Sequence, residues 1–471
     1  MNRGRTPGKK YRRIAVWMRR SLRVKDNAAL FHAAEDGGEV VPLAVLPAKL
    51  SRQLTPRERF TSDALADLDA NLRRMGSSLF LARGTGSEAI VRALDGLRPD
   101  ALYAPEPETP SEDREDSHLK RELAALGCVF STFRDRVLFG PEEILNREGK
   151  PYTVFTPFKK ACLAKLDEAP PPYPDISRLN TPKLAEESPG ILRFNRQVGE
   201  GAGERLALKR LKAFARSGIF AYARLRDLPG TSGTSGLSSD IAHGTVSIRT
   251  ILSAVLDARR ESDGQPRRSV DAFIGELIWR EFYRQILAHF PFVTEGAFKE
   301  PFRGLIWSEN NAHFVAWCEG RTGFPIVDAA MRQLRLEGWM HNRSRMIVAS
   351  FLTKDLHISW QRGEQFFAEH LVDADVASNN GGWQWCAGTG TDAAPYFRIF
   401  NPLLQARKID PEGTYVRRYV EELKGVGGSA VHEPWKVGRR LDYPRPIVDH
   451  VREREVALEL YRASRPFRAI A

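Results

Sequence analysis

The sequence has few cysteines and no long apolar run. Four cysteines are spread over 471 residues without a CxxC pair, at Cys128, Cys162, Cys318 and Cys386. Metal clusters and disulfide frameworks need closely spaced or numerous cysteines, so we expect no metal site and reduced, buried thiols. The apolar run at 14–18 is too short for a signal peptide, and no stretch is long enough to span a membrane. The sequence therefore predicts a cytoplasmic protein without a membrane segment.

Acidic residues are fewer than basic ones. Lys and Arg total 71 against 59 Asp and Glu, which gives a formal charge of +12. A basic surface attracts polyanions, so nucleic acid and anionic membrane are both candidate partners at this point. Hydrophobic residues make up 42% of the chain, enough for large buried cores. A chain of this length is expected to form two domains and a connector.

Short apolar runs alternate with helical patterns in the first part of the chain. An amphipathic helix is predicted at 59–75. Alternating β and α elements indicate a doubly wound parallel sheet, so residues 12–138 are predicted to form an α/β domain. Its five buried strands are predicted at 14–18, 40–46, 78–83, 101–104 and 128–133.

The pattern changes after this domain. Prolines crowd residues 139–203, which predicts a connector, and the pattern over 204–464 is helical throughout. The architecture is therefore an α/β domain followed by an all-α domain. Seven of the nine tryptophans fall between residues 279 and 385. Helices are predicted at 204–218, 270–290, 325–337, 340–359 and 363–371.

Small hydroxyl residues and glycines fill residues 231–239, TSGTSGLSS, ahead of a helical run. Such a segment exposes backbone N–H groups and helix caps, which suit a phosphate. A flexible linker has the same composition, so both interpretations stay open at this point.

A polar and aromatic stripe lies in FIGELIWREFYRQIL. Glu276, Trp279, Arg280 and Tyr283 stand at i, i+3, i+4 and i+7, which places them on one helical face. An ordinary amphipathic helix would carry Leu and Val there. The stripe therefore indicates a polar pocket with aromatic walls, and the alternative is an ion-pair face between domains.

The segment GWMHNRSRMIVASFL, residues 338–352, places Asn342, Arg343 and Met346 within one helical turn. Arg345 in the same segment is expected to face either a phosphate or a carboxylate. His341 is predicted to be a structural histidine.

Two acids precede the run NNGGWQW at 379–385. Asp373 and Asp375 stand two residues apart, as paired metal ligands sometimes do. No nearby His or Cys completes a ligand set, so sugar hydroxyls or an arginine are the expected partners.

Four long stretches resemble signatures of the photolyase/cryptochrome family, most closely the class I cyclobutane pyrimidine dimer photolyases. They are WQWCAGTGTDAAPYFRIFNP at 383–402, ELIWREFY at 276–283, GRTGFPIVDAAMRQL at 320–334 and GWMHNR at 338–343. The resemblance extends from about residue 12 to 462. It implies an N-terminal antenna domain and a helical domain that binds FAD.

The resemblance implies a bent FAD whose phosphates lie on residues 234–238. It places Asp373 and Asp375 beside the ribityl chain and the isoalloxazine ring, and Asn379 opposite the flavin N5. Gly236 stands where relatives often carry Arg, and Phe273 stands where Trp is common. The cofactor-binding residues implied are Tyr222, Thr234, Ser235, Gly236, Leu237, Ser238, Phe273, Arg345, Asp373, Asp375 and Asn379.

The partner implied is UV-damaged DNA with a flipped pyrimidine dimer. Trp279 and Trp385 would form flat walls for the dimer, and Met346 would fill its irregular side. Glu276, Asn342 and Asn379 are the catalytic residues implied; the first two would hydrogen-bond the pyrimidine edges. The full set implied for DNA and lesion binding is Arg226, Glu276, Trp279, Arg280, Tyr283, Asn342, Arg343, Met346 and Trp385.

The activity implied is that of a carbon–carbon lyase. Photoexcited FADH⁻ would pass an electron to the dimer, the cyclobutane ring would split, and the electron would return. Trp307, Trp360 and Trp383 match the tryptophan chain that the family uses to reduce oxidised flavin.

Two related functions are alternatives. A cryptochrome-type blue-light receptor would share this fold, but Asn379, Glu276, Trp279 and Trp385 favour repair. Repair of (6-4) photoproducts uses two histidines where this chain has Asn342 and Met346. Which antenna chromophore is bound stays open: it could be a folate, a deazaflavin, a flavin or none. A monomer is expected.

Overall fold

The computed structural model describes residues 8–46, 53–182, 187–188, 191–193, 201–438 and 441–464. The chain divides into two compact units. The first comprises Met1–Leu145, Ala161–Ile219 and Ser235–Ile274. The second comprises Asn146–Lys160, Phe220–Thr234 and Gly275–Ala471.

The first unit contains a seven-stranded sheet with the order β5-β4-β1-β2-β3-β7-β6. Strands β1 to β5 pair in parallel, while β7 pairs antiparallel with β3 and β6. The five predicted strands and their parallel pairing are confirmed, and the short antiparallel pair was not predicted. The strands are β1 (Tyr11–Trp17), β2 (Gly37–Leu46), β3 (Phe80–Arg83), β4 (Ala101–Pro105), β5 (Val129–Phe133), β6 (Glu187–Ser188) and β7 (Ile191–Arg193).

Helices cover both faces of the parallel strands. Ile14, Ala15 and Val16 are successive residues of β1, and all three are fully buried. Since successive side chains of a strand point to opposite faces, both faces of β1 must be covered. The covering helices are α1 (Ala28–Asp36), α2 (Pro56–Arg74), α3 (Gly86–Leu97) and α4 (Pro110–Ala125).

Local capping sets the start of α2, which was predicted at 59–75. Thr55 and Glu58 form a reciprocal capping box, and Pro56 occupies the first helical position. A capping box satisfies two free N–H groups, and proline at this position loses no helical hydrogen bond. The helix therefore begins three residues before the start that was predicted from its apolar periodicity.

A helix also forms inside the segment predicted as a connector. Helix α5 (Phe155–Ala164) has Pro157 in its first turn, where the missing N–H costs nothing. The proline-rich composition of residues 139–203 gave no indication of this helix. The next helices are α6 (Glu204–Ala213), α7 (Ile219–Leu225), α8 (Ser238–His243) and α9 (Ile248–Arg260).

The second unit contains none of the seven strands within its described residues. Its core is a large apolar cluster that includes Trp317, Phe351, Trp360 and Trp383. Helix α10 (Gly264–His289) begins in the first unit and continues into the second. The remaining helices are α11 (Asn311–Glu319), α12 (Pro325–Glu337), α13 (Asn342–Ser350), α14 (Trp360–His370), α15 (Val376–Ala387), α16 (Pro402–Ile409), α17 (Thr414–Tyr419) and α18 (His450–Ala463).

The helix predicted at 340–359 is shorter than expected. It begins at Asn342, widens into a π-type turn over Phe351–Asp355, and ends there. His357 has a positive φ of 54°, which a helix does not tolerate, and Ser359 caps α14 by accepting from the N–H of Gln361. The break therefore lies inside the segment that periodicity predicted as one helix over 340–359.

None of the described helices combines the length and the hydropathy needed to cross a membrane.

Candidate functional site

A cleft with about 620 Å³ of empty volume lies in the second unit, between side chains of α13, α14 and α15. Seven residues predicted to bind cofactor or lesion or to carry electrons lie in its lining: Asn342, Arg345, Met346, Asp373, Asp375, Asn379 and Trp383. The other lining residues are Ala349, Phe367, Leu371, Ser378, Gly382 and Cys386. Tertiary folding thus brings together segments that are up to 44 residues apart.

Arg345 faces a carboxylate in this cleft. Its Nη2 lies 2.7 Å from Oδ2 of Asp373, and its Nε donates to the main-chain oxygen of Met340 at 2.8 Å. The other carboxylate oxygen, Oδ1 of Asp373, is buried and has no hydrogen-bond partner among the described residues. A buried acceptor left unpaired costs about 1–3 kcal/mol. The geometry therefore suits a bound molecule that donates a hydrogen bond to Asp373.

Asp375 fixes the start of α15. Its Oδ1 accepts from the N–H of Ser378 at 2.8 Å, and its Oδ2 forms an ion pair with Arg284 of α10. An arginine partner for the paired acids was one of the two expected. Arg284 itself was missed, although it stands four residues after Arg280 on the same helical stripe.

Asn379 and Asn380 both bond to Glu364 of α14. Nδ2 of Asn379 donates to the main-chain oxygen of Glu364 at 2.9 Å, and Nδ2 of Asn380 donates to its Oε1 at 3.0 Å. Burial raises the pKa of Glu364 to about 7, against the opposing effect of the Asn380 hydrogen bond. No spacing or motif pointed to Glu364, because it comes from a different helix.

The side chains of the α10 stripe bond to different partners. Nη1 of Arg226 lies 2.7 Å from Oε1 of Glu276, and Nη1 of Arg280 lies 3.0 Å from Oε1 of the buried Glu281. Tyr283 lines a second, smaller cavity together with Asn380 and Gln384, among others. The stripe is therefore partly an ion-pair surface within the second unit and partly an aromatic wall.

Trp279 lies in a group of aromatic rings. Its ring stacks on Phe155 at a centroid distance of 3.6 Å, and it contacts Tyr283 at 5.5 Å. Trp385 is half-buried against the helical core and is not among the residues that line the cleft. The two predicted walls of the lesion site thus have different surroundings.

Arg343 is paired with an acid that sequence reasoning missed. Its Nη2 and Nε lie 2.8 and 3.2 Å from Oδ1 of Asp227. Its Nη1 also approaches the sulfur of Met346 at 3.6 Å, and Nδ2 of Asn342 approaches the same sulfur at 3.9 Å. Asp227 directly follows Arg226. This adjacent pair of opposite charges was the sequence feature that could have pointed to Asp227.

His341 caps α13. Its Nδ1 accepts from the N–H of Arg343 at 3.1 Å, and its Nε2 is buried without a partner in the described part of the chain. Burial lowers the pKa of His341 to about 4, so the ring is neutral near pH 7. The structural role predicted for this histidine agrees with this contact.

The segment predicted for phosphates contains a left-handed glycine. Gly236 has a φ of +65°, and no heavy atom lies within 4 Å of the position that a Cβ would occupy. Leu237 donates its N–H to Oγ of Ser235 at 3.3 Å, and α8 begins at Ser238. Gly adopts this φ at no steric cost, and the space beside Gly236 is open.

The remaining residues predicted for the cofactor differ in exposure: Tyr222, Leu237 and Phe273 are buried, Thr234 and Ser235 are partly exposed, and Ser238 is exposed. Thr234 belongs to the second unit, while 235–238 and Phe273 belong to the first. Phe273 packs against Phe214 at 4.8 Å. In the second unit, the guanidinium of Arg226 lies 5.3 Å from the ring centre of Tyr222.

The three tryptophans predicted to carry electrons share one core. Trp383 and Trp360 are almost fully buried, and Trp307 is partly buried against the same apolar cluster. Trp383 lines the cleft, while Trp307 contacts Tyr461 at 6.4 Å. The structure thus shows a buried indole at the cleft and a partly exposed one at the edge of the core.

No group of three or more His, Cys, Asp or Glu side chains in the described ranges is placed to hold a metal ion. The cleft instead offers two carboxylates, one guanidinium group, two side-chain amides and an indole, which suit an organic cofactor rich in hydroxyls and amides.

Comparison with known proteins agrees with this chemistry. Residues 273–463 match the FAD binding domain of DNA photolyase, and residues 14–175 match DNA photolyase. The deoxyribodipyrimidine photo-lyase of Alkalihalophilus pseudofirmus is 38% identical over 95% of this chain and 97% of its own.

Two solved structures are similar over nearly the whole chain. A class III photolyase from Agrobacterium tumefaciens is 34% identical with a TM-score of 0.85, covering 98% of this chain and 99% of its own. A cryptochrome from Synechocystis is 27% identical with a TM-score of 0.84, covering 97% of this chain and 100% of its own.

The matched FAD-binding domain contains the whole cleft, from Asn342 to Cys386. The unpaired oxygen of Asp373 and the groups around it fit this cofactor. The predicted α/β domain and helical FAD-binding domain are both confirmed. The chain therefore belongs to the photolyase/cryptochrome family.

Proposed function

We propose that this protein repairs cyclobutane pyrimidine dimers in UV-damaged DNA, using light and reduced FAD. One observation carries the proposal. The cleft that suits FAD is joined to helix α10 by the ion pair between Asp375 and Arg284, and α10 also carries Glu276 and Trp279. A cofactor site and a polar, aromatic surface are thus held by the same helices.

The chain's own residues hold the cofactor. Asp373 would accept a hydrogen bond through its unpaired Oδ1, while Arg345 keeps its other oxygen occupied. Asn379 is oriented by its bond to Glu364 and would place its amide beside the flavin ring. When bound in its reduced form, FAD supplies the photoexcited electron donor that splits the cyclobutane ring.

The lesion would be held by α10 and α13. The partly exposed face of Trp279 would stack on the flipped pyrimidines, and Met346 would pack against them. Glu276 is one-third exposed and would hydrogen-bond a pyrimidine edge after leaving Arg226. Arg226 and Arg343 would then be released from their acidic partners to bind phosphates.

Trp383, Trp360 and Trp307 would carry electrons from the edge of the core to oxidised flavin. Burial of Trp383 and Trp360 keeps their rings in fixed positions, and the partial exposure of Trp307 gives external reductants access.

A cryptochrome-type receptor is the second candidate, since a cryptochrome shares this fold. Asn379 at the cleft and Glu276 with Trp279 on α10 favour repair. A (6-4) photolyase is less consistent with the site, because neither Asn342 nor Met346 can transfer a proton.

The test uses purified, FAD-loaded and photoreduced protein with an oligonucleotide that contains one thymine cyclobutane dimer. We expect blue light to restore the ultraviolet absorbance of the thymines, with no change in the dark. An oligonucleotide with a (6-4) photoproduct serves as the control and should stay unrepaired. Bound FAD without light-dependent repair would favour the receptor.

A further inference from the structure

Phe155 and Trp279 form a close face-to-face pair in the second unit. Their ring centroids are 3.6 Å apart and their planes differ by 9°. Aromatic pairs usually prefer offset or edge-to-face geometry with centroids roughly 4.5–7 Å apart. Contacts outside the pair must therefore hold the two rings together.

Two hydrogen bonds provide such contacts on the Phe155 side. The N–H of Phe155 donates to Oδ2 of Asp392 at 3.0 Å, and the hydroxyl of Thr391 donates to the main-chain oxygen of Thr153. Asp392 has a φ of +41°, which is uncommon for a non-glycine residue. Residues 153–155 are thus tied to the loop that follows α15.

Buried aromatic contacts fix the same segment from the other side. Phe158, one turn further along α5, is buried and packs against Phe282 at 5.3 Å. Phe155 itself contacts Phe282 at 5.8 Å, edge to face. Phe155 is therefore held on one side by the loop after α15 and on the other side by Phe282. Phe155 and Trp279 each stay partly exposed.

We infer that Phe155 is a positioning residue of the lesion site. Its ring covers one face of the Trp279 indole and sets the plane of that indole, so a flipped pyrimidine can stack only on the remaining surface. An indole free to rotate would lose orientational entropy on binding, and a preset one does not. This inference rests on the proposed repair of pyrimidine dimers.

Three variants test the role. Phe155→Ala removes the ring, Phe155→Tyr restores an aromatic ring of the same shape, and Phe292→Ala is a control at an exposed phenylalanine of the same unit. Each FAD-loaded variant is titrated with dimer-containing and undamaged oligonucleotides. Near-ultraviolet circular dichroism and tryptophan fluorescence report on the indole, and thermal melting reports on folding.

We expect Phe155→Ala to weaken binding of the dimer by about 3- to 10-fold, the value of one aromatic pair. Its affinity for undamaged DNA and its FAD content should not change, and its circular dichroism should lose the signal of the stacked pair. Phe155→Tyr should recover the wild-type values. Phe292→Ala should behave as wild type throughout.

Several results would overturn the inference. They are full dimer preference in a folded Phe155→Ala variant, an equal loss of affinity for damaged and undamaged DNA, or failure of Phe155→Tyr to recover binding. A wild-type protein without any preference for dimers would instead refute the proposed function, and the inference with it. The wild-type titration therefore separates the two failures.

Discussion

Arg226 and Glu276 form an ion pair in the second unit, with Nη1 2.7 Å from Oε1, and both side chains are partly exposed. Each was predicted to bind DNA or the lesion, yet here each is the partner of the other. The pair has to open before either side chain can contact DNA. Water reaches both side chains and screens their attraction, so opening this pair costs less than opening a fully buried one.

The first prediction concerns Glu276. Glu276→Ala should weaken binding of dimer-containing DNA by about tenfold, because a hydrogen bond to a charged group contributes about 1.5–3 kcal/mol. Its quantum yield of repair should also fall, while FAD stays bound. Filter binding, actinometry and the visible absorption spectrum measure these quantities. Loss of FAD from the variant would contradict the role assigned to this carboxylate.

The second prediction concerns Asp227, the partner of Arg343. Asp227→Asn should strengthen binding to undamaged DNA by about 2- to 5-fold and steepen its salt dependence, because one more guanidinium becomes free to neutralise a phosphate. Titrations at several salt concentrations measure the slope. The effect should disappear in the double variant with Arg343→Gln, because the two residues act on each other directly. An unchanged effect there would mean that Asp227 acts by net charge alone.

A third prediction follows from the unpaired Oδ1 of Asp373. Asp373→Asn should leave Arg345 without its ion-pair partner and lower the FAD content of the purified protein several-fold. The ratio of flavin to protein absorbance measures the FAD content. Asp442→Asn, at an exposed site of the same unit, should purify with wild-type FAD content. Equal FAD content in both variants would show that Asp373 does not hold the cofactor.

A fourth prediction concerns the pH dependence of stability. The folded-state pKa of Glu364, about 7, lies above its ordinary value of 4.5, so burial favours the neutral carboxyl. Its contribution to stability is therefore complete below about pH 4.5 and is lost as the pH rises through 7. A shift of this size corresponds to about 3 kcal/mol at most.

Glu364→Gln keeps a neutral side chain at every pH. Its free energy of unfolding should therefore change less than that of wild type between about pH 5 and pH 8, as measured by urea denaturation. Glu369→Gln, an exposed site on the same helix, should keep the wild-type profile. If Glu364→Gln also kept that profile, Glu364 would not titrate in this range.

The fifth prediction separates photoreduction from repair. Trp307→Phe should block photoreduction of oxidised FAD, because phenylalanine is much harder to oxidise than tryptophan. Repair by chemically reduced enzyme should be unchanged. Transient absorption measures the first step, and dimer repair after dithionite reduction measures the second. Loss of repair in the chemically reduced variant would mean that Trp307 is not merely part of the electron chain.

Elements whose signals are local could be predicted from the amino-acid sequence. The five parallel strands follow from short apolar runs, and the segment carrying Trp383 follows from a long contiguous motif. Periodicity and motif depend on neighbouring residues, so they can be seen without the fold. Even there, the break at His357 and the helix at α5 were missed, because one left-handed residue and one tolerated proline override the pattern.

The partners of the side chains at the site could not be predicted, because they depend on the fold. Glu364 bonds to Asn379, Arg284 to Asp375, and Phe155 stacks on Trp279 across 124 positions of the sequence. Such pairs join separate elements, and their spacing has no period that the sequence could display. The family and the chemistry could therefore be predicted from residues alone, whereas the orientation and charge state of the site depend on packing.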